Sequence, residues 1–297
     1  MSAVPITASR TMSGIALAMG GWAAFSLQDA IVKLLVVDLP VPEVLFARSL
    51  VIVVVASLLA SRADFTAMRQ PRNAAAIALR SFIILFAWFA YYRASRSLQL
   101  AELVTFYFTG PLFIVVMSGP LLRERVGAGR WLATILGFGG VLYAANPTGV
   151  ADITPALLAL FAALCWAVTT LLARTLTKGV STGAMMIGSN LGFLIACAAF
   201  APTLFVWPDA RALALMAALG CIGCVGQFLW FEGVRRAQAS LLAPLEYSML
   251  AYAIGWGWLI FGDLPQARTL LGASVVLGSG LLALLFEARR HRIAIRA

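Results

Sequence analysis

Asp29 and Lys33 stand one helical turn apart inside the apolar run GWAAFSLQDAIVKLL, residues 21–35. Charges in a hydrocarbon environment are costly and tend to face cavities or one another, so the pair needs a chemical reason. A spacing of four puts both side chains on one helix face, where they can pair. Glu43 and Arg48 recur in the next apolar run, and Arg93 lies near the end of a third. These five read as a charge network towards one end of a helical bundle. Asp29 and Lys33 could hold a gate there or touch a solute directly. The gate is the favoured reading, because both lie off the middle of their run and the long Lys33 stem can reach an interface. Glu246 is different: it follows Pro244 and has no cation at helical spacing, which leaves helix packing and contact with a solute or a proton equally open. Glu232, close to Arg235 and Arg236, reads as an interfacial ion pair. Glu124 and Asp263 precede helix starts, where free N–H groups and the positive dipole end favour a carboxylate.

The elements that carry these residues follow from composition. The 297 residues are 62% hydrophobic and 11% charged, with mean hydropathy +0.94, whereas soluble domains hold about 25% charged residues. This is an all-α integral membrane protein. Uncharged stretches of 21 residues (153–173) and 20 residues (212–231) match the roughly 20 that cross a bilayer as a helix, and the alternation of a membrane β-barrel is absent. Ten spans are expected: 12–35, 42–61, 79–97, 101–121, 128–146, 153–174, 182–204, 212–234, 239–261 and 268–287. The connections leave no room for a soluble domain, and the first span is too long and too charged at its far end for a cleaved signal peptide.

Under ten spans, fifteen Lys and Arg fall in the terminal tails and the even-to-odd loops. Only Arg96, Arg211 and Arg268 fall on the opposite side. The positive-inside bias then places both termini in the cytoplasm. It also accounts for the net charge of +10 without nucleic acid. Cys165, Cys197, Cys221 and Cys224 all lie within spans, and the C-x-x-C at 221–224 has no His or acid nearby, so small packing residues are the expected role. The single histidine, His291, sits in the basic tail, and no nucleophile–base spacing or phosphate-binding G-x-x-x-x-G-K run is present. An intramembrane enzyme, a metal site, a cofactor and ATP use are therefore not expected, and a non-transporting scaffold is a minor alternative.

The chain repeats itself. At an offset of 139, FYFTGPLFIVVMSGPLLRE (106–124) falls on LEYSMLAYAIGWGWLIFGD (245–263). Phe108 then matches Tyr247, Glu124 matches Asp263 and Gly139 matches Gly278. Trp22 in GWAAFS corresponds to Trp166 in CWAVTT. Five spans per copy is an odd number, so the second copy is inverted, an architecture that places a site at the interface of the halves. Small residues such as Gly129, Gly137, Gly188, Gly192, Gly220, Gly223 and Gly226 recur at spacings that let helices approach closely. Polar-tipped aromatics in the central spans (Trp22, Trp88, Tyr91, Tyr92, Tyr107, Trp166, Trp230 and Tyr247), together with Gln28, Asn190, Gln227 and Glu246, suit a cavity for a solute with a ring and a polar end. Pro111, in the middle of span 4, and Pro244 are candidate hinges.

FSLQDAIVKLL, Arg48, FTGPLF…LLRERV (108–126), GFGGVL (137–142) and the second-half LEY (245–247) and FGD (261–263) together resemble the EamA family of the drug/metabolite transporter superfamily, over nearly the whole chain. Asp263 stands where Glu is usual. The resemblance implies two five-helix repeats, 11–148 and 152–288, with a basic tail at 289–297. It implies a multi-pass protein of the bacterial inner membrane that moves small metabolites by alternating access. Among its members the bacterial aromatic-amino-acid exporters are the nearest reading; carriers of a vitamin, a nucleotide-like metabolite or a drug are the alternative. The expected partners are a small solute and the lipid bilayer; the oligomeric state is left open, a monomer included.

Overall fold

The computed structural model describes residues 8–36, 38–95, 106–124, 126–145, 153–177, 179–199, 205–262 and 267–296. Among them all regular structure is helical. The helices are α1 (Ala8–Leu35), α2 (Val41–Leu59), α3 (Arg62–Arg69), α4 (Pro71–Ser95), α5 (Gly110–Leu122), α6 (Ala128–Ala145), α7 (Ile153–Leu176), α8 (Thr182–Ala198), α9 (Ala210–Arg236), α10 (Ala239–Glu246), α11 (Met249–Trp256) and α12 (Ala267–Arg296), with a π-helical turn (Gly257–Phe261) extending α11. Five of them, within α1, α2, α4, α7 and α9, are long and apolar enough to cross a membrane alone, and three shorter apolar helices accompany them. Large aliphatic side chains stand outward, Leu58 at 80% and Leu59 at 83% exposure, as they must where the solvent is lipid. The protein is an all-α membrane protein of ten spans in two inverted five-helix repeats.

Three features depart from a plain succession of spans. The link between spans 2 and 3 is itself a helix, α3, started by a capping box in which Ser61 and Asp64 satisfy each other's backbone N–H groups. Span 3 begins at Pro71 rather than 79. Span 9 is broken into α10 and α11 at Tyr247–Ser248, and the chain breaks at the matching place, Phe108–Thr109, before α5. At both breaks the same tightened bond closes the turn: Thr109 N–H donates to Phe106 O at 3.2 Å and Ser248 N–H to Leu245 O at 3.0 Å. The two breaks touch, with the Phe108 and Tyr247 rings edge-to-face at 5.9 Å. Equivalent residues of two copies can meet only at the axis relating them, so this ring pair marks the pseudo-two-fold.

Helix packing obeys the same exchange. α1 packs on α9, and its counterpart α7 packs on α4. α2 packs on α8 and α6 on α12, each pairing an element with its own equivalent. The halves are therefore interleaved. Their closest seam is α1 against α9: a Cβ at Gly21 would lie 2.9 Å from Trp230 N, one at Gly14 2.9 Å from the Arg236 Cβ, and one at Gly233 2.8 Å from Ala18. Glycine stands there because nothing larger fits.

Replacing Gly233 or Gly21 by Leu should prevent this seam from closing, since overpacking costs about 1–3 kcal/mol even where neighbours can yield. Thermal unfolding of the purified protein should drop steeply or monodisperse protein be lost. Gly183→Ala, where nothing lies within 4 Å of an added Cβ, should leave the transition unchanged. Equal behaviour of these variants would contradict the packing.

Candidate functional site

The breaks at the axis leave room between the halves. A cavity of about 680 Å³ opens there, lined from both repeats, and pockets of about 300–1,000 Å³ hold drug-sized ligands. It runs from Trp166 and Glu246 in mid-bundle to Val36, at the end of α1, and Phe261, at the end of the π turn.

The mid-bundle end is aromatic, with a few polar side chains among the rings. Trp166 and Trp230, from α7 and α9, lie with ring centroids 5.5 Å apart, and Tyr91 stands edge-on to Tyr107 at 5.0 Å and to Trp88 at 6.4 Å. The Trp166 Nε1–H donates to Glu246 Oε1 at 2.6 Å. Glu246 is the last residue of α10, 4% exposed. Asn190 Nδ2 donates to Gln227 Oε1 at 2.7 Å and to Met186 O at 2.8 Å, which fixes both amides across α8 and α9. Gln28 is buried, its Oε1 without a hydrogen-bond partner among the described residues, and it abuts Gly223, whose added Cβ would lie 2.7 Å from that oxygen.

At the other end Asp29 and Lys33 are exposed to the cavity, and no ion pair joins them among the described residues. The charge that faces Asp29 is that of Arg48 on α2. The Lys33 Nζ instead sits 4.4 Å over the Phe261 ring, a cation–π contact from the first half to the second. Glu43 is directed elsewhere, accepting from Val206 N–H at 3.0 Å before α9, and Arg93 is exposed on α4, outside the lining.

Other expected site residues fall outside the cavity. Trp22 is 1% exposed and Tyr247 0% exposed. Both are core residues, Tyr247 packed on Gly137 and Phe108. The Tyr92 side chain lies outside the described residues. Pro111 stands in the first turn of α5 rather than mid-helix, where the missing N–H costs little, and Pro244 lies inside α10, two residues before the mid-bundle acid. Arg80, Ser189 and Phe231 line the cavity and were not among the expected site residues. Arg80 is the second residue of the expected third span, 79–97, and its sequence neighbours carry no other polar signal than Ser81.

The bundle is shut at the opposite end. Glu124, leaving α5, accepts from Ala239 N–H at 3.2 Å, Ser240 N–H at 3.1 Å and the Ser240 hydroxyl at 2.7 Å, so a carboxylate of the first half caps α10 of the second. Arg130 adds a 2.6 Å bond to the Ser240 Oγ. Arg174 stands 3.9 Å from Glu124 and donates to Val234 O at 2.6 Å and Arg235 O at 2.7 Å, satisfying carbonyls at the end of α9. Glu232 is held by the Thr182 hydroxyl, by Arg236 at 2.9 Å and by Arg235 at 3.8 Å.

An EamA-like transporter family pattern matches residues 12–145 and again 153–285. The chain belongs to this family. Among its relatives it is 30% identical over 211 residues to a riboflavin transporter of Rhizobium johnstonii, covering 69% of this chain and 68% of that one. It is 24% identical over 277 residues to the pseudopaline exporter CntI of Pseudomonas aeruginosa, covering 89% and 93%. It is 25% identical over 183 residues to an S-adenosylmethionine uptake transporter of Rickettsia conorii, covering 61% and 62%. A solved crystal structure superposes with TM-score 0.78 at 22% identity, covering 95% of this chain and 98% of the other, which bears on the fold alone. The names of these EamA relatives point to transport of small metabolites rather than to catalysis, and none of the three specifies an aromatic amino acid.

Truncating Glu124 to Ala would leave the first N–H groups of α10 uncapped and Arg174 without its carboxylate. A cap of this kind is worth roughly 0.5–2 kcal/mol, so the melting temperature should fall, with Glu124→Gln losing less. An unchanged Glu124→Ala would show that the cap does not hold the closed end.

Proposed function

We propose that the protein is a secondary transporter of the bacterial inner membrane that carries a small, ring-bearing metabolite by alternating access between its two halves. One observation carries this reading: the cavity lies between inverted repeats, draws its lining from both, reaches helix ends on one side and is shut by an inter-repeat carboxylate on the other. The aromatic-amino-acid export expected from the sequence has less support than a metabolite of another kind, since the relatives are named for riboflavin, pseudopaline and S-adenosylmethionine. The cavity offers aromatic faces for a flat group and polar side chains to orient it.

Direction follows from charge. With the Arg-rich loops and both termini in the cytoplasm, the Glu124 end is cytoplasmic and the cavity faces outward. Lys33 over Phe261 then lies at the outer mouth and links the halves there, which supports the gate reading of that lysine. In a variant free of native cysteines, a membrane-impermeant thiol reagent applied outside should label a Cys at position 149 and miss one at position 67. The reverse pattern would sink the orientation.

Transport should depend on the indole floor. Trp166→Ala and Tyr107→Ala should each reduce transport of ring-bearing solutes several-fold in proteoliposomes while yielding folded protein, with riboflavin, S-adenosylmethionine and L-tryptophan as the first panel. Wild-type rates in both variants would remove the aromatic lining from the mechanism.

A further inference from the structure

Two ionisable side chains on the cavity, Arg80 and Glu246, lack a counter-charge among the described residues. Arg80, on α4 of the first half, is 5% exposed. Its Nε donates to Thr169 O at 3.2 Å and its Nη1 to Ser189 Oγ at 2.7 Å. Its Cζ lies 5.1 Å from the Phe231 ring centroid and 5.9 Å from that of Trp230. A guanidinium has five N–H donors, and these bonds use two while the side chain borders the cavity. Glu246, from the second half, accepts one bond, from Trp166. Among the described residues no carboxylate pairs with Arg80 and no cation pairs with Glu246. An isolated buried charge is strongly unfavourable unless something else compensates it, and neutral bonds and ring faces do so only in part.

The two sites are joined in series. Arg80 lies over Trp230, Trp230 lies beside Trp166, and Trp166 holds Glu246. An arginine and a glutamate thus flank an indole pair, each supplied by a different repeat, while Asp29 faces Arg48 and Lys33 sits on Phe261. We propose that Arg80 seats a carboxylate of the solute and Glu246 a cationic group, ammonium or sulfonium, with the flat part of the solute against Trp166 and Trp230. This rests on the transporter reading and narrows its substrate to metabolites that bear both charges. Such a solute neutralises both sites at once and ties the halves together when it binds. The fork of Arg80 suits a carboxylate bidentately, and the indole faces favour a cation beside them.

The test is uptake into proteoliposomes of six compounds at one pH. L-tryptophan and S-adenosylmethionine carry both groups, L-tryptophanamide and tryptamine lack the carboxylate, indole-3-propionate lacks the ammonium, and riboflavin lacks both. Wild type should prefer at least one doubly charged compound over the others. Removing one partner of a buried charge contact typically weakens binding by about 100-fold. Arg80→Gln should therefore lose the preference for L-tryptophan over its amide, and Glu246→Gln the preference for L-tryptophan over indole-3-propionate. If S-adenosylmethionine is the compound moved, both variants should lose its uptake. Ratios within one variant do not depend on how much of it folds. Ser189→Ala, which keeps the charge and loosens its seat, should lower the carboxylate preference several-fold as a milder check. Riboflavin carried as well as any charged compound, by wild type and both variants, overturns the charge assignment and leaves the carrier intact. Glu246→Gln that loses only pH dependence and keeps the ammonium preference makes Glu246 a proton site and overturns its assignment here. Wild type that moves none of the six overturns the carrier reading as well.

Discussion

The close approach of α1 and α9 is the constraint from which the site follows. Where Gly14, Gly21 and Gly233 let the two backbones come together, α9 is fixed in rotation against the first half. That rotation decides which of its residues face the axis. Trp230 and Gln227 border the cavity as a result, opposite Gln28 of α1. Without water to reward burial, association here relies on van der Waals fit, so a missing Cβ counts for more than it would in a soluble core.

Polar groups show the same economy. The N-terminus of α10 and the end of α9 are buried within the protein, where bare backbone groups are costly, and Glu124 and Arg174 satisfy them from other elements. These residues belong to the shut end of the bundle, whereas Asp29, Lys33 and Phe261 belong to the open one. The ends also differ in how the halves are joined. At the shut end one carboxylate bridges them through three hydrogen bonds, while at the open end the Lys33–Phe261 cation–π contact lies on the cavity and the Glu43–Val206 hydrogen bond lies beside it.

Much of the architecture was legible because spanning length and loop charge are one-dimensional signals. The repeat was legible because Phe108 and Tyr247, held at the axis, cannot diverge freely in shape. The breaks were not, since Pro111 and Pro244 sit close to them without causing them; a tightened turn at ordinary residues does so instead. Of the site, Gln28, Trp88, Tyr91, Tyr107, Trp166, Asn190, Gln227, Trp230 and Glu246 lie on the cavity. Trp22 and Tyr247 show the limit of residue type as a guide, because the same ring can fill a core or line a void and only helix rotation distinguishes them. Arg80 was overlooked for a matter of length. A span starting at 79 would leave it at the membrane surface, but α4 begins at Pro71, which carries Arg80 more than two turns into the helix. Of the five charges expected to form a network, Arg48 faces Asp29 from α2, whereas Glu43 is drawn off to Val206 and Lys33 to Phe261.

The odd number of helices in each copy has a consequence for how such a chain can be inherited. When a five-helix unit duplicates and inverts, every loop of the second copy emerges on the wrong side of the bilayer for its charge. Selection must then rewrite the loops while preserving the faces that meet at the axis. The three arginines at 62, 69 and 72 thus have only Arg211 near the corresponding loop, whereas the tightened turns and their touching rings persist in both copies. Kinship between the halves is accordingly plainest where their breaks touch and fainter in the loops.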